Sequence, residues 1–435
     1  MVTGFGLQGT GPMNSFFQKL NTLFSDRQLR NRILFVLFVL FISRLLAAIP
    51  IPGINLLALD QFFANNQFFG LLNLFSGGGL SGLSIVMLGV GPYITASIIM
   101  QLLTVLSPRL KAMYHEEGEA GRQRVSQYSR ALTVPLAALQ AFAFITLFQK
   151  NGIILPLSPM ELGTNIAIIT AGSMLLSWIG ELLSEFGIGN GVSIIIFAGI
   201  VAGLPGAIEQ LALTFTPEQI PLYVGFAVVA LLVIFGIVFI TEAERPIPVT
   251  YARRVRGNKV YGGVSTYLPL RLNQAGVMPV IFALSILLFP QMIGNFLATS
   301  THPMLLKISG VLLHLFTNNT LYGILYFFLV FLFTYFYTAV TFDPDAIAQN
   351  LQRNGAFIPG VRPGQSTSEY IAGILTRLTM FGALFLGIIA VLPLILRSIT
   401  GIQQLAIGGT GILIVISVII DIIKKVDAQL SLREY

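Results

Sequence analysis

The sequence predicts an all-α polytopic membrane protein: ten transmembrane helices in two inverted five-helix halves, with one short helix re-entering from the outside. Three observations predict it. The first is composition: of 435 residues, 55 % are apolar and only 10 % charged, with a mean hydropathy of +0.82. A soluble domain carries about 25 % charged residues. The second is a series of ten stretches approaching the about 20 apolar residues a spanning helix needs. They lie near 31–50, 83–105, 131–149, 164–183, 192–206, 220–240, 275–293, 321–340, 371–395 and 405–423. The third is the placement of lysine and arginine, which gather on one side of this layout.

Lys19, Arg27, Arg30 and Arg32 precede the first span, and Arg109, Lys111, Arg122, Arg124 and Arg130 surround the connection from the second to the third. Arg245, Arg253, Arg254, Arg256, Lys259 and Arg271 fall between the sixth and seventh, Arg353 and Arg362 between the eighth and ninth, and Lys424, Lys425 and Arg433 after the last. The opposite side has little beyond Lys150, Lys307 and Arg397. Positive loops face the cytoplasm, so both termini and the loops 107–130, 241–274 and 341–369 are expected there. The net charge of +7 is then a topology signal. The stretch to Asn31 lacks an apolar core followed by a small-residue cleavage site, so no cleavable signal peptide is expected. Five spans in each of 1–215 and 216–435 make the second half enter inverted, a pattern of many transport folds.

The second span is unusual. "LFSGGGLSGLSIVMLGVGPY", residues 74–93, is too glycine-rich for a good helix and too apolar for an exposed loop. Pro92, following Gly89 and Gly91, interrupts a helix there. The span is therefore read as split, with a short piece over 76–88 and a full helix from about 92 to 105. The short piece cannot cross a bilayer, and irregular backbone at membrane depth must be buried in protein or line a cavity. Folding back into the bundle satisfies this; a glycine-rich loop lying at the outer interface is the alternative. Similar glycine-flanked starts, "GIGNGVSIIIFAG", "AGVMPVIFA" and "GGTGILIV", open the fifth, seventh and tenth spans. Together with "GVGPYITASI" they could supply a neck of branched apolar side chains, though isoleucines in membrane helices ordinarily pack or face lipid.

Several chemistries are excluded. There is no cysteine, hence no disulfide framework and no thiolate ligand. No H-E-x-x-H and no phosphate-binding G-x-x-x-x-G-K-[ST] occurs. Ionisable residues within spans are few: Arg44 in the first, Glu181 and Glu185 at the cytoplasmic end of the fourth, Arg377 in the ninth and Asp421 in the tenth. The end-lying ones can reach an interface by snorkelling. Arg44 has no second charge near it in sequence and is read as structural. No enzyme, cofactor or metal is expected.

Long motifs in order along nearly the whole chain then carry a resemblance. They are "IPIPGI" (49–54), "NLFSGGGLS" (73–81), "GPYITASIIMQLL" (91–103), "GIGNGVSIIIFAGIVAGLP" (187–205), "STYLPLRLNQAGVMP" (265–279) and "GAFIPGVRPG" (355–364). On these the chain closely resembles the SecY family, the central channel subunits of the bacterial Sec protein-conducting translocon. The resemblance implies a gated channel that passes unfolded secretory polypeptides and releases apolar helices sideways into lipid. A partner ATPase or the ribosome would supply the energy.

The resemblance also implies roles for residues. The plug is the segment from about Asn73 to Met87, with Phe75, Ser76, Gly77, Gly78, Gly79, Leu80, Ser81 and Gly82 at its centre. The pore ring falls on Val90, Ile94, Val192, Ile196, Ile281 and Ile414. Thr95 and Phe289 face each other at the lateral gate, and Gln101 and Asn273 are candidates for bonds that hold it shut, with ordinary interhelical bonding as the alternative. Arg253, Arg254, Arg256, Lys259, Arg353 and Arg362 would dock the ribosome and the SecA motor. Ribosomal phosphates would attract such basic loops, although positive loops also arise from topology alone. SecE and SecG are the implied companion subunits, in a bacterial plasma membrane. Asn258-Lys259 replaces the basic pair common at the first loop's tip, and Phe186 stands where a charged residue often precedes "GIGNG".

Overall fold

In the computed structural model, the described residues are 26–52, 54, 55, 58, 59, 62, 73, 76–80, 82–115, 117–213, 217, 220–251, 254–256, 259–261, 265–298, 302–400 and 403–431. Ten helices among them overlap the ten expected spans in order. They are α1 (Arg27–Ala47), α2 (Gly91–Leu106), α4 (Gly118–Lys150), α5 (Pro159–Phe186), α6 (Gly191–Leu213), α7 (Ile220–Glu242), α8 (Met278–Leu297), α10 (Asn319–Thr341), α12 (Gln365–Thr400) and α13 (Gln403–Ser431). Local chemistry sets several starts. Asp26 accepts from the backbone N–H groups of Gln28 and Leu29 at the start of α1, and Ser158 and Glu161 form a capping box on α5. Pro92 occupies the first turn of α2, where its missing N–H costs nothing.

Length sorts these helices by position. Residues 118–150, 159–186, 223–242, 320–353 and 365–396 are each long and apolar enough to cross a bilayer; α2 reaches that length only if counted together with α3 (Pro108–His115), from which a 108° bend separates it. The apolar parts of α6 and α8, Gly191–Gly206 and Met278–Gln291, fall short of a full crossing. Residues 194–200 of α6 and 280–287 of α8 lie in the bundle's interior, where short helices are enclosed by protein. The one apolar cluster they share also contains parts of α1, α2, α5, α7, α10, α12 and α13. α7, by contrast, is almost wholly exposed, as a lipid-facing helix should be.

The face carrying the positive loops holds structure that hydropathy did not reveal. β1 (Glu244–Tyr251) pairs antiparallel with β4 (Ser265–Arg271), from Glu244 opposite Arg271 to Thr250 opposite Ser265. It also pairs with β5 (Ala356–Phe357), from the second basic loop, at Thr250 and Tyr251. Pro246 and Pro248 fall where β1 has β4 alone as partner, so no ladder hydrogen bond is lost on the far side. β2 (Arg254–Arg256) and β3 (Lys259–Tyr261) form a separate hairpin with Arg256 opposite Lys259. Ile247, Val249, Leu270, Ala356 and Ile358 pack on Ile371 and Ile374 of α12, a small core that joins both loops to a span. α11 (Pro344–Arg353) is capped by Asp343 and tied to α12 by the Ser368 hydroxyl donating to Asp345 at 2.5 Å.

On the opposite face, the connection between the seventh and eighth spans continues α8 to Leu297 and then forms α9 (Pro303–Thr317). Ser309 on α9 donates to the Gly294 carbonyl at 2.7 Å, while Met304, Leu306, Ile308 and Val311 stay exposed. That pattern suits a helix lying in the membrane interface.

The expected short re-entrant helix differs in form. Residues 76–80 and 82–90 are a succession of turns. Gly77 and Gly78 adopt φ of +71° and +83°, left-handed values that a right-handed helix excludes. The segment nevertheless folds into the bundle as expected. Leu80, Leu83, Met87 and Leu88 are buried with Phe144, Ile145 and Phe148 of α4 and Ile169 of α5. Short backbone pairings fasten its root: Ile51 N–H donates to the Leu83 carbonyl and Ile85 N–H to that of Ile49.

Candidate conducting path

A cavity of about 630 Å³ opens among α2, α4, α5, α6 and α8. Its wall is partly charged and partly apolar. Glu119, Arg122, Arg130, Glu181 and Glu185 line it together with Gln101, Gln123, Ser126 and Asn190, and Ile94, Val192, Ile196 and Ile281 complete it. The charged residues belong to the same end as the positive loops. Arg130 and Glu181 form an ion pair at 2.8 Å that ties α4 to α5 at this mouth. An apolar neck that empties of water is one way to gate such a vestibule.

All six ring candidates belong to one apolar cluster. Val90, Ile94, Ile196, Ile281 and Ile414 are buried, and half-buried Val192 packs against them. Spacing explains how two helices present two members each. Val90 and Ile94, and likewise Val192 and Ile196, are four residues apart and share a helix face. Val90 is the residue at which α2 begins, so the break before Pro92 aims it. Each of the six ring candidates is itself a branched hydrocarbon side chain.

The plug candidates lie beyond this cluster, away from the charged mouth. Ser76, Gly77, Gly78, Gly79, Leu80 and Gly82 are described; Phe75 and Ser81 lie outside the described residues. Ser76 bonds within the segment, donating to the Asn73 carbonyl and accepting from Leu80 N–H, both at 3.0 Å. Ser84 donates to the Gly79 carbonyl at 3.0 Å, and Ser173 of α5 donates to that of Gly89 at the same distance. Arg44, which the sequence left without a partner, donates from Nη1 to the Gly77 carbonyl at 2.5 Å.

α8 packs against α2 and α4, which brings together the helices carrying the lateral-gate candidates. Thr95 and Phe289 are half-buried on them. Gln101 and Asn273 do not bond to each other. Gln101 donates to Ser97 one turn earlier at 3.4 Å, and Asn273 to the Gly276 carbonyl at 3.2 Å. The side-chain oxygens of both are buried without a hydrogen-bond partner. A cross-helix bond of another kind appears at the far end: Lys150, the last residue of α4, donates to the Ala298 carbonyl just past α8 at 2.5 Å. Hydropathy had marked Lys150 only as a minority charge, because its partner is a backbone oxygen.

The docking candidates divide. Arg353 ends α11 and Arg362 lies in the loop before α12; both are exposed. Arg362 is held by its backbone, since its carbonyl accepts from the Thr367 hydroxyl at 2.8 Å. Arg254, Arg256 and Lys259 sit in the β2–β3 hairpin, and Arg253 lies outside the described residues.

Comparison with known proteins bears on family and fold. A family profile described as SecY matches residues 84–423. A protein translocase subunit SecY from Thermus thermophilus is 44 % identical over 422 residues, 94 % of each chain. One from Mycobacterium tuberculosis is 39 % identical over 444 residues, covering 97 % of this chain and 99 % of its own. Among solved structures, one describing the SecY plug domain as stabilising the closed state of the translocation channel matches with a TM-score of 0.61 at 19 % identity. Sec61 in the canine ribosome-channel complex matches with a TM-score of 0.58 at 17 % identity, and each match covers 90 % of both chains. Identity across nearly the full length, together with a profile spanning the second to the tenth helix, establishes that this chain belongs to the SecY family.

Proposed function

We infer that this membrane protein is a gated protein-conducting channel that passes unfolded secretory chains across a bacterial plasma membrane and releases apolar helices sideways into lipid. The single observation that carries this is the cavity that joins charged Glu119, Arg122, Arg130 and Glu181 to buried Ile94, Ile196 and Ile281. An extended polypeptide can slide through a hydrocarbon neck because nothing there binds it, while an empty neck dewets and resists ions. Val90, Val192 and Ile414 complete the ring, and residues 73–87 stop its outer side.

The halves 1–215 and 216–435 move against each other at the contact of α8 with α2 and α4, where Thr95, Gln101, Asn273 and Phe289 tune the opening. Transfer of apolar surface from water, about 25 cal/mol per Å², drives a nascent helix through this gate. The chain carries no phosphate-binding loop and performs no catalysis of its own, so the work comes from a partner. Arg253, Arg254, Arg256 and Lys259 of the first basic loop, with Arg353 and Arg362 of the second, receive the ribosome and the SecA motor. SecE and SecG complete the complex, with both termini in the cytoplasm. A secondary transporter would instead need acidic residues near the midplane, whereas Glu181 lines the charged mouth and Asp421 pairs with Lys425 one turn from the end of its helix's apolar stretch.

Cross-linking tests the reading. With Ile94→Cys as the sole cysteine and a stalled secretory precursor carrying another, a disulfide is expected between the two. An engaged precursor that gives no adduct would overturn the path.

A further inference from the structure

We propose that Arg44 is the latch of the plug, a positioning residue that holds the closed state by grasping backbone. The inference rests on the channel reading above and extends it to a residue outside ring, plug and gate. Arg44 lies in the last turn of α1, half-buried against the bundle. Its Nη1 donates to the Gly77 carbonyl, 33 residues further along the chain. Gly78 lies under the same guanidinium: a Cβ built there would sit 3.6 Å from Nη1. The left-handed φ values of Gly77 and Gly78 shape this turn, and both positions favour glycine.

A second wall faces the first. Gly199 of α6 touches Gly77 so closely that a Cβ at position 199 would lie 2.2 Å from the Gly77 Cα. Gly77 is therefore seated between α1 and α6, held by charge on one side and contact on the other. A cation in the last turn also complements the helix dipole, but that would be served without reaching Gly77. Arg44 Nε is buried without a hydrogen-bond partner, so the guanidinium has given up part of its hydration in this seat. The grasped atom is a main-chain carbonyl, so no plug side chain supplies the acceptor. Position 44 controls it.

The test uses the full complex reconstituted in lipid vesicles, with Leu80→Cys as the sole thiol in this cysteine-free chain. Leu80 is fully buried at rest, so a membrane-impermeant maleimide reads plug release directly. Arg44→Met is expected to speed labelling roughly ten- to hundred-fold, the equilibrium equivalent of one charged hydrogen bond. Arg44→Lys, which keeps a donor and the charge, should restore most of the protection. Labelling that rises equally in both variants, or in neither, overturns the latch. Gly199→Ala leaves Arg44 in place and breaks the seat from the other side; it too should expose the thiol, and undiminished protection there would overturn the seating of Gly77. Ion flux is recorded in parallel. A released thiol with no gain in flux upholds the latch and counts against the conducting path, so the two readings fail separately.

Discussion

Replacing Ile94 and Ile196 together by glycine is expected to raise the resting ion conductance of the reconstituted channel by an order of magnitude or more. Both side chains are buried in the apolar cluster, and Ile94 and Ile196 also line the end of the cavity. Removing them widens the neck and lets water persist in it, and ions follow water. The substitutions also cost stability. Truncating a buried isoleucine costs about 2–5 kcal/mol, and glycine within a helix about 1 kcal/mol more. Ile98→Ala separates the two effects, since Ile98 is equally buried on α2 but belongs to no ring position. That control should lower stability and leave conductance at its resting value. Planar-bilayer recordings decide the matter: a tight seal in the double variant removes the ring from the mechanism.

Arg362→Glu is expected to abolish motor-driven translocation of a secreted precursor while leaving the complex assembled. Arg362 is exposed, and its carbonyl rather than its guanidinium holds the loop, so reversing its charge leaves that hydrogen bond in place. The stability change should stay within about 0.5 kcal/mol, as for most surface substitutions. The functional loss is large because a charge meeting its complement across a docking surface becomes a repulsion. Translocation into inverted vesicles reads the first effect and co-purification of the companion subunits the second. Normal transport would show that the motor does not engage this residue.

The spans were legible because each is a local property of about 20 consecutive residues, and the lysine and arginine pattern ordered them. Pro92 marked the start of α2 to within a residue. What sequence reading missed was non-local. β1 finds its third strand in Ala356–Phe357, more than a hundred residues away, and its two prolines hide the strand pattern. α9 hid among the other apolar residues of the 294–320 connection. The partners of Arg44 and Lys150 were invisible for another reason: each is a main-chain oxygen, which every residue has and no motif advertises. The ring and plug candidates rest on family resemblance, since branched apolar residues in a membrane helix look alike whether they face a pore, a neighbour or lipid.

The plug's glycine turns have a thermal consequence. Ordering a residue costs about 1–2 kcal/mol of backbone entropy, and glycine loses more than any other. Seating residues 76–90 through Gly77, Gly78 and Gly79 therefore trades disorder for a few directed bonds and apolar contacts. Apolar burial is itself entropy-driven near 25 °C, so where the directed bonds outweigh it, warming weakens that trade, and closure is then the enthalpic state and opening the entropic one. Heat alone should thus act as an agonist. The frequency of resting openings is expected to climb with temperature more steeply than the current through each opening, and single-channel recordings across a temperature ramp would separate the two.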